Sequence, residues 1–192
     1  MLVSVVIPTY NRLPILKQCL AALENQILIK EIHDYEIVIV DDGSTDGTID
    51  WLKNNIQTFP HLRLFEQNHG GPALGRNLGV EKSNGDLIVF IDSDLIVDKY
   101  FLYNHVNSLI RAWRRLGDRK CFTYGSVINT SNFNDPSSEP FKLQDLSWAY
   151  FATGNVAIDK KVLEKSGLFD TAFRLYGWED LELGERLRNM GV

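Results

Sequence analysis

Asp86-Leu87-Ile88-Val89-Phe90-Ile91-Asp92-Ser93-Asp94 is the stretch that decides how this chain folds and what it does. Its unbroken apolar run reads as a strand covered on both faces, since a half-exposed strand alternates apolar and polar side chains. The run stops at two aspartates one residue apart. Side chains alternate along an extended chain, so Asp92 and Asp94 point the same way. Two carboxylates that close repel unless a cation stands near them. Hard oxygen ligands suit Mg²⁺ or Mn²⁺. Such an ion would hold a diphosphate and stabilise the charge on its departure. The plain alternative is a turn whose aspartate caps a helix. The buried strand before the pair, and the clusters described next, favour the ligand reading.

Outward from this stretch, strands and helices alternate. Residues 3–7, 36–40 and 62–65 read as strands like 86–91. Leu16, Leu20, Leu23 and Ile27 recur at helical spacing, and Ile49 and Leu52 lie on a capped helix after Asp41-Asp42-Gly43-Ser44-Thr45. Gly70-Gly71-Pro72 opens a third helix that reads through Asn84. This order implies an α/β fold: a mostly parallel, Rossmann-like sheet with helices on both faces. Beyond a long helix at 100–116, the stretch from Thr130 to Glu139 is rich in Ser, Asn, Asp and Pro and reads as a mobile surface loop. A strand at 155–158, a short helix at 160–166 and an acidic helix from about Glu179 follow. One domain is expected over 1–192: a nucleotide-binding half at 1–98 and an acceptor and catalytic half at 99–192.

Ligands of open parallel sheets sit beyond the carboxyl ends of the strands. Three polar clusters fall there: Pro8-Thr9-Tyr10-Asn11, Asp41-Asp42, and Asp92-Ser93-Asp94. Asp42 could accept the ring N–H of uracil or guanine, or simply belong to a turn. Thr9 or Tyr10 could bond to or pack on that base. Arg76, within the glycine-rich helix entry, could reach base or phosphate, as helix N-termini favour anions. Near the end, Tyr176-Gly177-Trp178-Glu179-Asp180 sets aromatic rings beside carboxylates, as sugar binding requires. As an isolated motif this would equally complement a helix dipole. His33, His61, His69 and His105 are scattered and read as surface or structural, His69 least clearly because it abuts the glycine run.

Composition narrows the classes. Twenty Lys and Arg against twenty-five Asp and Glu give a net charge of −5, which argues against nucleic-acid binding and calls for a cation if the substrate is anionic. The two cysteines, Cys19 and Cys121, form no CxxC pair, so a reducing, cytoplasmic setting is expected. No apolar run approaches the roughly 20 residues that cross a bilayer, which leaves peripheral association with the inner face of a membrane. Residues 186–192 read as a helix end, a glycine stop and the start of something further, so the chain is expected to continue beyond Val192.

Val5-Val6-Ile7-Pro8-Thr9-Tyr10-Asn11, Ile39-Val40-Asp41-Asp42-Gly43-Ser44 and Asp92-Ser93-Asp94 together resemble family 2 glycosyltransferases of the GT-A fold. The stretch from Gly154-Asn155 through Gly167-Leu168-Phe169-Asp170 to Tyr176-Gly177-Trp178-Glu179-Asp180 is similar to chondroitin-polymerase-type galactosyl- and N-acetylgalactosaminyl-transferases. The resemblance implies a nucleotide-sugar donor, preferably a UDP-sugar, a saccharide or glycoconjugate acceptor, and Mn²⁺ or Mg²⁺. It implies that Pro8, Thr9, Tyr10, Asp42, Arg76, Asp92 and Ser93 bind the nucleotide, with Asp92 at the ribose. Asp94, with Asp92, would hold the metal. Asp180 would be the base of an inverting displacement, with Glu179 beside it, and Tyr176, Trp178, Gly154 and Asn155 would meet the sugars. The other readings are a non-catalytic nucleotide-sugar binder and a phosphatase built on Asp-x-Asp.

Overall fold

The computed structural model describes every residue except 133, 134, 136, 137, 141, 143, 144, 146–148 and 174–177. The elements run β1 (Leu2–Thr9), α1 (Leu13–Leu23), β2 (Asp34–Asp41), α2 (Thr48–Asn55), β3 (Leu62–Glu66), α3 (Pro72–Lys82), β4 (Leu87–Ile91), α4 (Phe101–Leu116), β5 (Phe122–Tyr124), β6 (Asn155–Asp159), α5 (Lys160–Lys165) and α6 (Glu179–Asn189). They build a six-stranded sheet in the order β3-β2-β1-β4-β6-β5. The first four strands are parallel, and β6 pairs antiparallel with both β4 and β5. The expected α/β class and mostly parallel sheet are therefore present, with an antiparallel edge.

Alternation along the strands divides the core. Val3, Val5 and Ile7 face one side, with Leu16 and Leu20 of α1 and Leu102, Val106 and Leu109 of α4. Val6, Val38 and Phe90 face the other, with Val80 of α3, Leu163 of α5 and Leu183 and Leu187 of α6. Both faces are covered, which explains the unbroken apolar runs.

Two local expectations are corrected, and one strand is new. Ile27 is not on α1: Asn25 and Gln26 turn their amides back onto the carbonyls of Ala21 and Ala22 at 2.9 and 3.1 Å, ending the helix at Leu23. α3 stops at Lys82 rather than Asn84, because Ser83 Oγ donates to the Gly79 carbonyl at 2.6 Å and Asn84 N donates to the buried Glu36 carboxylate. β5 was not foreseen; three residues at a sheet edge leave little pattern. Of the 130–139 loop, residues 133, 134, 136 and 137 lie outside the described residues, and the rest forms no helix or strand beyond a single 3-10 residue.

Glu36 ties the amino ends of the strands together. It accepts from Ser4 Oγ at 2.6 Å and from Arg63 at 2.7 Å, and Ser4 Oγ in turn accepts from Gly85 N at 2.8 Å. These hydrogen bonds hold its carboxyl below the ordinary glutamate range despite burial. The opposite, carboxyl ends are left for loops.

α3 lies close on β1 and β2 because glycine faces the sheet. A Cβ at Gly79 would come within 2.3 Å of Val6 Cγ1, and one at Gly75 within 3.1 Å of Pro8 Cβ. Gly79→Ala should therefore destabilise the fold by about 1–3 kcal/mol through overpacking, although alanine favours helix by about 1 kcal/mol. Urea titration checks this, and Val6→Ala in the same chain should restore much of the loss.

Candidate active site

Every residue assigned from sequence to the nucleotide or the metal lines one open cavity of about 910 Å³ at the carboxyl ends of β1, β2 and β4. Pro8 and Thr9 close β1, Asp42 follows β2, Asp92, Ser93 and Asp94 follow β4, and Arg76 enters from the first turns of α3. Arg12, Asn68, His69, Leu74 and Thr171 complete the wall and were not singled out, apart from the doubt over His69. Apart from Leu74 on α3, they sit on loops, where residue spacing carries no periodic signal.

Asp42 is 4% exposed, and its carboxylate organises the glycine loop. Oδ1 accepts from Gln67 Nε2 at 2.7 Å and Gly70 N at 2.8 Å, and Oδ2 accepts from Gly71 N at 2.9 Å. His69 Nδ1 stands 2.9 Å from Oδ2, and its ring stacks on Tyr10 with centroids 4.2 Å apart. Asp42 thus organises the turn and also lines the cavity. Beside it, Thr9 Oγ1 is buried with no hydrogen-bond partner among the described residues. Asn11, at φ 51°, accepts from Thr45 N at 2.7 Å, locking the loop after β1 to the loop after β2.

Arg76 is the surprise of the site. A surface arginine was the plain alternative, but it is 1% exposed and joins the two halves of the chain. Its guanidinium donates to Glu179 Oε1 at 2.8 Å and to Asp92 Oδ1 at 3.2 Å, and lies over the Phe169 ring at 5.6 Å. Glu179 is equally buried, at 1%. Its Oε1 accepts from Arg76, a pairing not read from the sequence. Asp180 is half-buried. Desolvation, and then the Glu179 charge, raise its carboxyl above the ordinary aspartate value, against the pull of Arg76 and of the Leu181 and Thr153 amides.

Asp92 is likewise raised, first by burial, then by Asp94 and Glu179, with Arg76 opposing. A Cβ at Gly154 would come 3.2 Å from Asp92 Oδ2, so this glycine makes room for the carboxylate. Asn155 is turned inward: His105 Nε2 donates to its Oδ1 at 2.8 Å while Thr123 Oγ1 donates to His105 Nδ1 at 2.8 Å. Burial holds His105 below its ordinary value and hence neutral. Trp178 is 63% exposed and, like Asp180, outside the cavity lining. Tyr176 lies outside the described residues.

The donor set fits a divalent cation. Among the described lining residues, Asp42, Asp92 and Asp94 stand against Arg76 and Arg12, whose guanidinium reaches Asp94 at 3.2 Å. Three minus two leaves one negative charge, and a bound cation would also offset an anionic ligand. No group of three or more His, Cys, Asp or Glu gathers as a complete metal cage among the described residues. Asp92 and Asp94 alone offer fewer oxygen donors than a hard divalent cation takes.

The chain is similar to known glycosyltransferases. The chain is 25% identical over 98% of its length to YfnE, an uncharacterized glycosyltransferase of Bacillus subtilis. It is 27% identical over 96% to a chondroitin synthase of Pasteurella multocida, and 29% over 98% to one of Escherichia coli. It spans 61%, 22% and 32% of those proteins' lengths. Among solved structures, a Pyrobaculum calidifontis mannosyltransferase in complex with GDP-Man and Mn²⁺ superposes with TM-score 0.68 at 25% identity, over 98% of this chain and 52% of that one. S. aureus TarS shares the GT-A fold with TM-score 0.68 at 22% identity, over 97% of this chain and 33% of its own. Residues 4–167 match the family described as Glycosyl transferase family 2, and the chain belongs to that family.

Proposed function

We propose that the chain forms the donor and catalytic site of an inverting, divalent-metal-dependent glycosyltransferase. It would move a sugar from a nucleoside-diphosphate donor, preferably a UDP-sugar, to a hydroxyl of a saccharide or glycoconjugate in polysaccharide synthesis. The observation that carries this is the cavity itself, where an orphaned Thr9 hydroxyl, Tyr10, Asp42, Arg76 and the Asp92–Asp94 pair converge. The mannosyltransferase bound to GDP-Man and Mn²⁺ supports a nucleotide-sugar and a metal, and the chondroitin synthases support a saccharide acceptor.

On this reading residues 1–98 bind the donor and 99–192 complete the site. Thr9, Tyr10 and Asp42 meet the base, with Pro8 and Ser93 shaping the floor. Asp92 lies toward the ribose, and Asp92 and Asp94 would hold Mg²⁺ or Mn²⁺, which when bound offsets the diphosphate charge. Arg76 keeps Asp92 and Glu179 at fixed separation. Asp180 takes the acceptor proton as the hydroxyl attacks the anomeric carbon from the side opposite the diphosphate. One displacement at that carbon inverts it, with no covalent sugar intermediate. An alcohol is a poor nucleophile until its proton leaves, so a carboxylate raised toward neutrality is the better base. Family membership sets the phosphatase reading aside, and turnover separates the enzyme from a non-catalytic binder.

Calorimetry should show UDP binding more tightly with Mn²⁺ than with EDTA, and Asp94→Ala should remove the difference while leaving the fold. Equal affinity in the native chain would end the metal role. Asp180→Asn should retain UDP and Mn²⁺ binding and lose transfer by roughly 10²–10⁴-fold, the usual scale for a general base. Because Asp180 is raised on folding, ionising it costs the fold stability above that raised value, and the cost disappears below the unfolded value. Asp180→Asn should therefore melt no lower than the native chain at pH 7. The acid limb of transfer should lie above the ordinary aspartate range of about 3.9. A limb at or below that range would move the base elsewhere.

A further inference from the structure

His69 and its two contacts belong to no step described so far. Its imidazole stacks on Tyr10 at 4.2 Å and 28° between planes. The same ring places Nδ1 2.9 Å from Asp42 Oδ2 and 3.1 Å from the Asp42 carbonyl. Both partners are acceptors, so Nδ1 carries the proton and donates. A flat ring lying on Tyr10 and giving an N–H to Asp42 is also how a uracil or guanine ring would sit, on the reading of this cavity as the nucleotide site.

A carboxylate offers about four acceptor positions. At Asp42, Gln67 Nε2, Gly70 N and Gly71 N donate to the carboxylate, while His69 Nδ1 donates to the Asp42 carbonyl and stands 2.9 Å from Oδ2. The two glycine amides are backbone and fix the entry of α3, and Gln67 is partly buried beside them. His69 alone is an exposed side chain, 59% open to solvent, that can leave by rotating about its own bonds. With ring centroids 4.2 Å apart, nothing fits between His69 and Tyr10.

We propose that His69 is a specificity-determining residue of the donor site: it occupies the base position in the free chain, and a nucleobase binds only by displacing it. Its stack and hydrogen bond are interactions the incoming base must replace. A ligand without a ring and an N–H cannot do so, and the closed state lowers apparent nucleotide affinity by the fraction of chains that are open. The phosphate end of the site, at Asp92 and Asp94, is untouched by this competition.

The test compares UDP, GDP and pyrophosphate, each with Mn²⁺, by calorimetry on the native chain, His69→Ala and His69→Phe. His69→Ala should bind UDP roughly three- to thirtyfold more tightly, as expected from removing a competing closed state. His69→Phe keeps the ring and loses the donor, and should fall between. Pyrophosphate affinity should not change. In the native chain, NMR should show the His69 ring protons losing the Tyr10 ring-current shift as UDP is added. Weaker or equal UDP binding by His69→Ala, with UDP still bound by the native chain, overturns the proposal alone and makes His69 a wall of the site. Absence of UDP and GDP binding by all three chains overturns the nucleotide reading, and this proposal with it. All three chains should keep the same circular dichroism spectrum and a cooperative melting transition, which separates a local effect from misfolding.

Discussion

A buried guanidinium holds this site together. Arg76 bridges Glu179 at the start of α6 and Asp92 at the end of β4, and it is closed off from water along with Glu179. Leaving a buried charge without its partner typically costs about 3–5 kcal/mol, so each member depends on the others being in place. The consequence is positional. Glu179 is adjacent to Asp180, and Asp92 is one residue from Asp94, so one side chain sets the separation between the proposed base and the proposed metal ligands. Gly154 and Thr153 reinforce it from β6's entry, one leaving room for Asp92 and the other donating to Asp180.

The same network explains the acid–base character of the site. Asp92 and Asp180 are both raised because burial and neighbouring carboxylates oppose their ionisation more strongly than Arg76 favours it. Such crowding costs stability and persists where function demands it. Cys19, buried on α1, is pushed up to about 12, first by burial and then by Asp94 and Asp92, so the field of the pair extends beneath the cavity.

The donor side was legible in the sequence because parallel strands broadcast themselves. Their double-sided burial produces unbroken apolar runs, and whatever polar residues end those runs must meet at one sheet edge. Pro8, Thr9, Asp42, Asp92 and Asp94 follow from that rule alone. Glu179 and Asp180 stood out beside Trp178, and the resemblance gave them roles, but the pairing of Glu179 with Arg76, 103 residues away in sequence, was not visible there. The pairing of Asn155 with His105, 50 residues away, was hidden for the same reason. β5 and the true end of α1 escaped because a three-residue edge strand and two amides folded back on carbonyls have no period to detect. The family match itself, over 4–167, ends ahead of α6.

The central claim is that Asp92 and Asp94 meet a cation and a diphosphate in the cavity that Arg76 frames. An anomalous difference map from crystals grown with Mn²⁺ and UDP tests it most directly. The account places one manganese peak between the Asp92 and Asp94 carboxylates and the diphosphate, with the base against Tyr10. A peak elsewhere, or UDP ordered in this cavity with no manganese beside either aspartate, would contradict it.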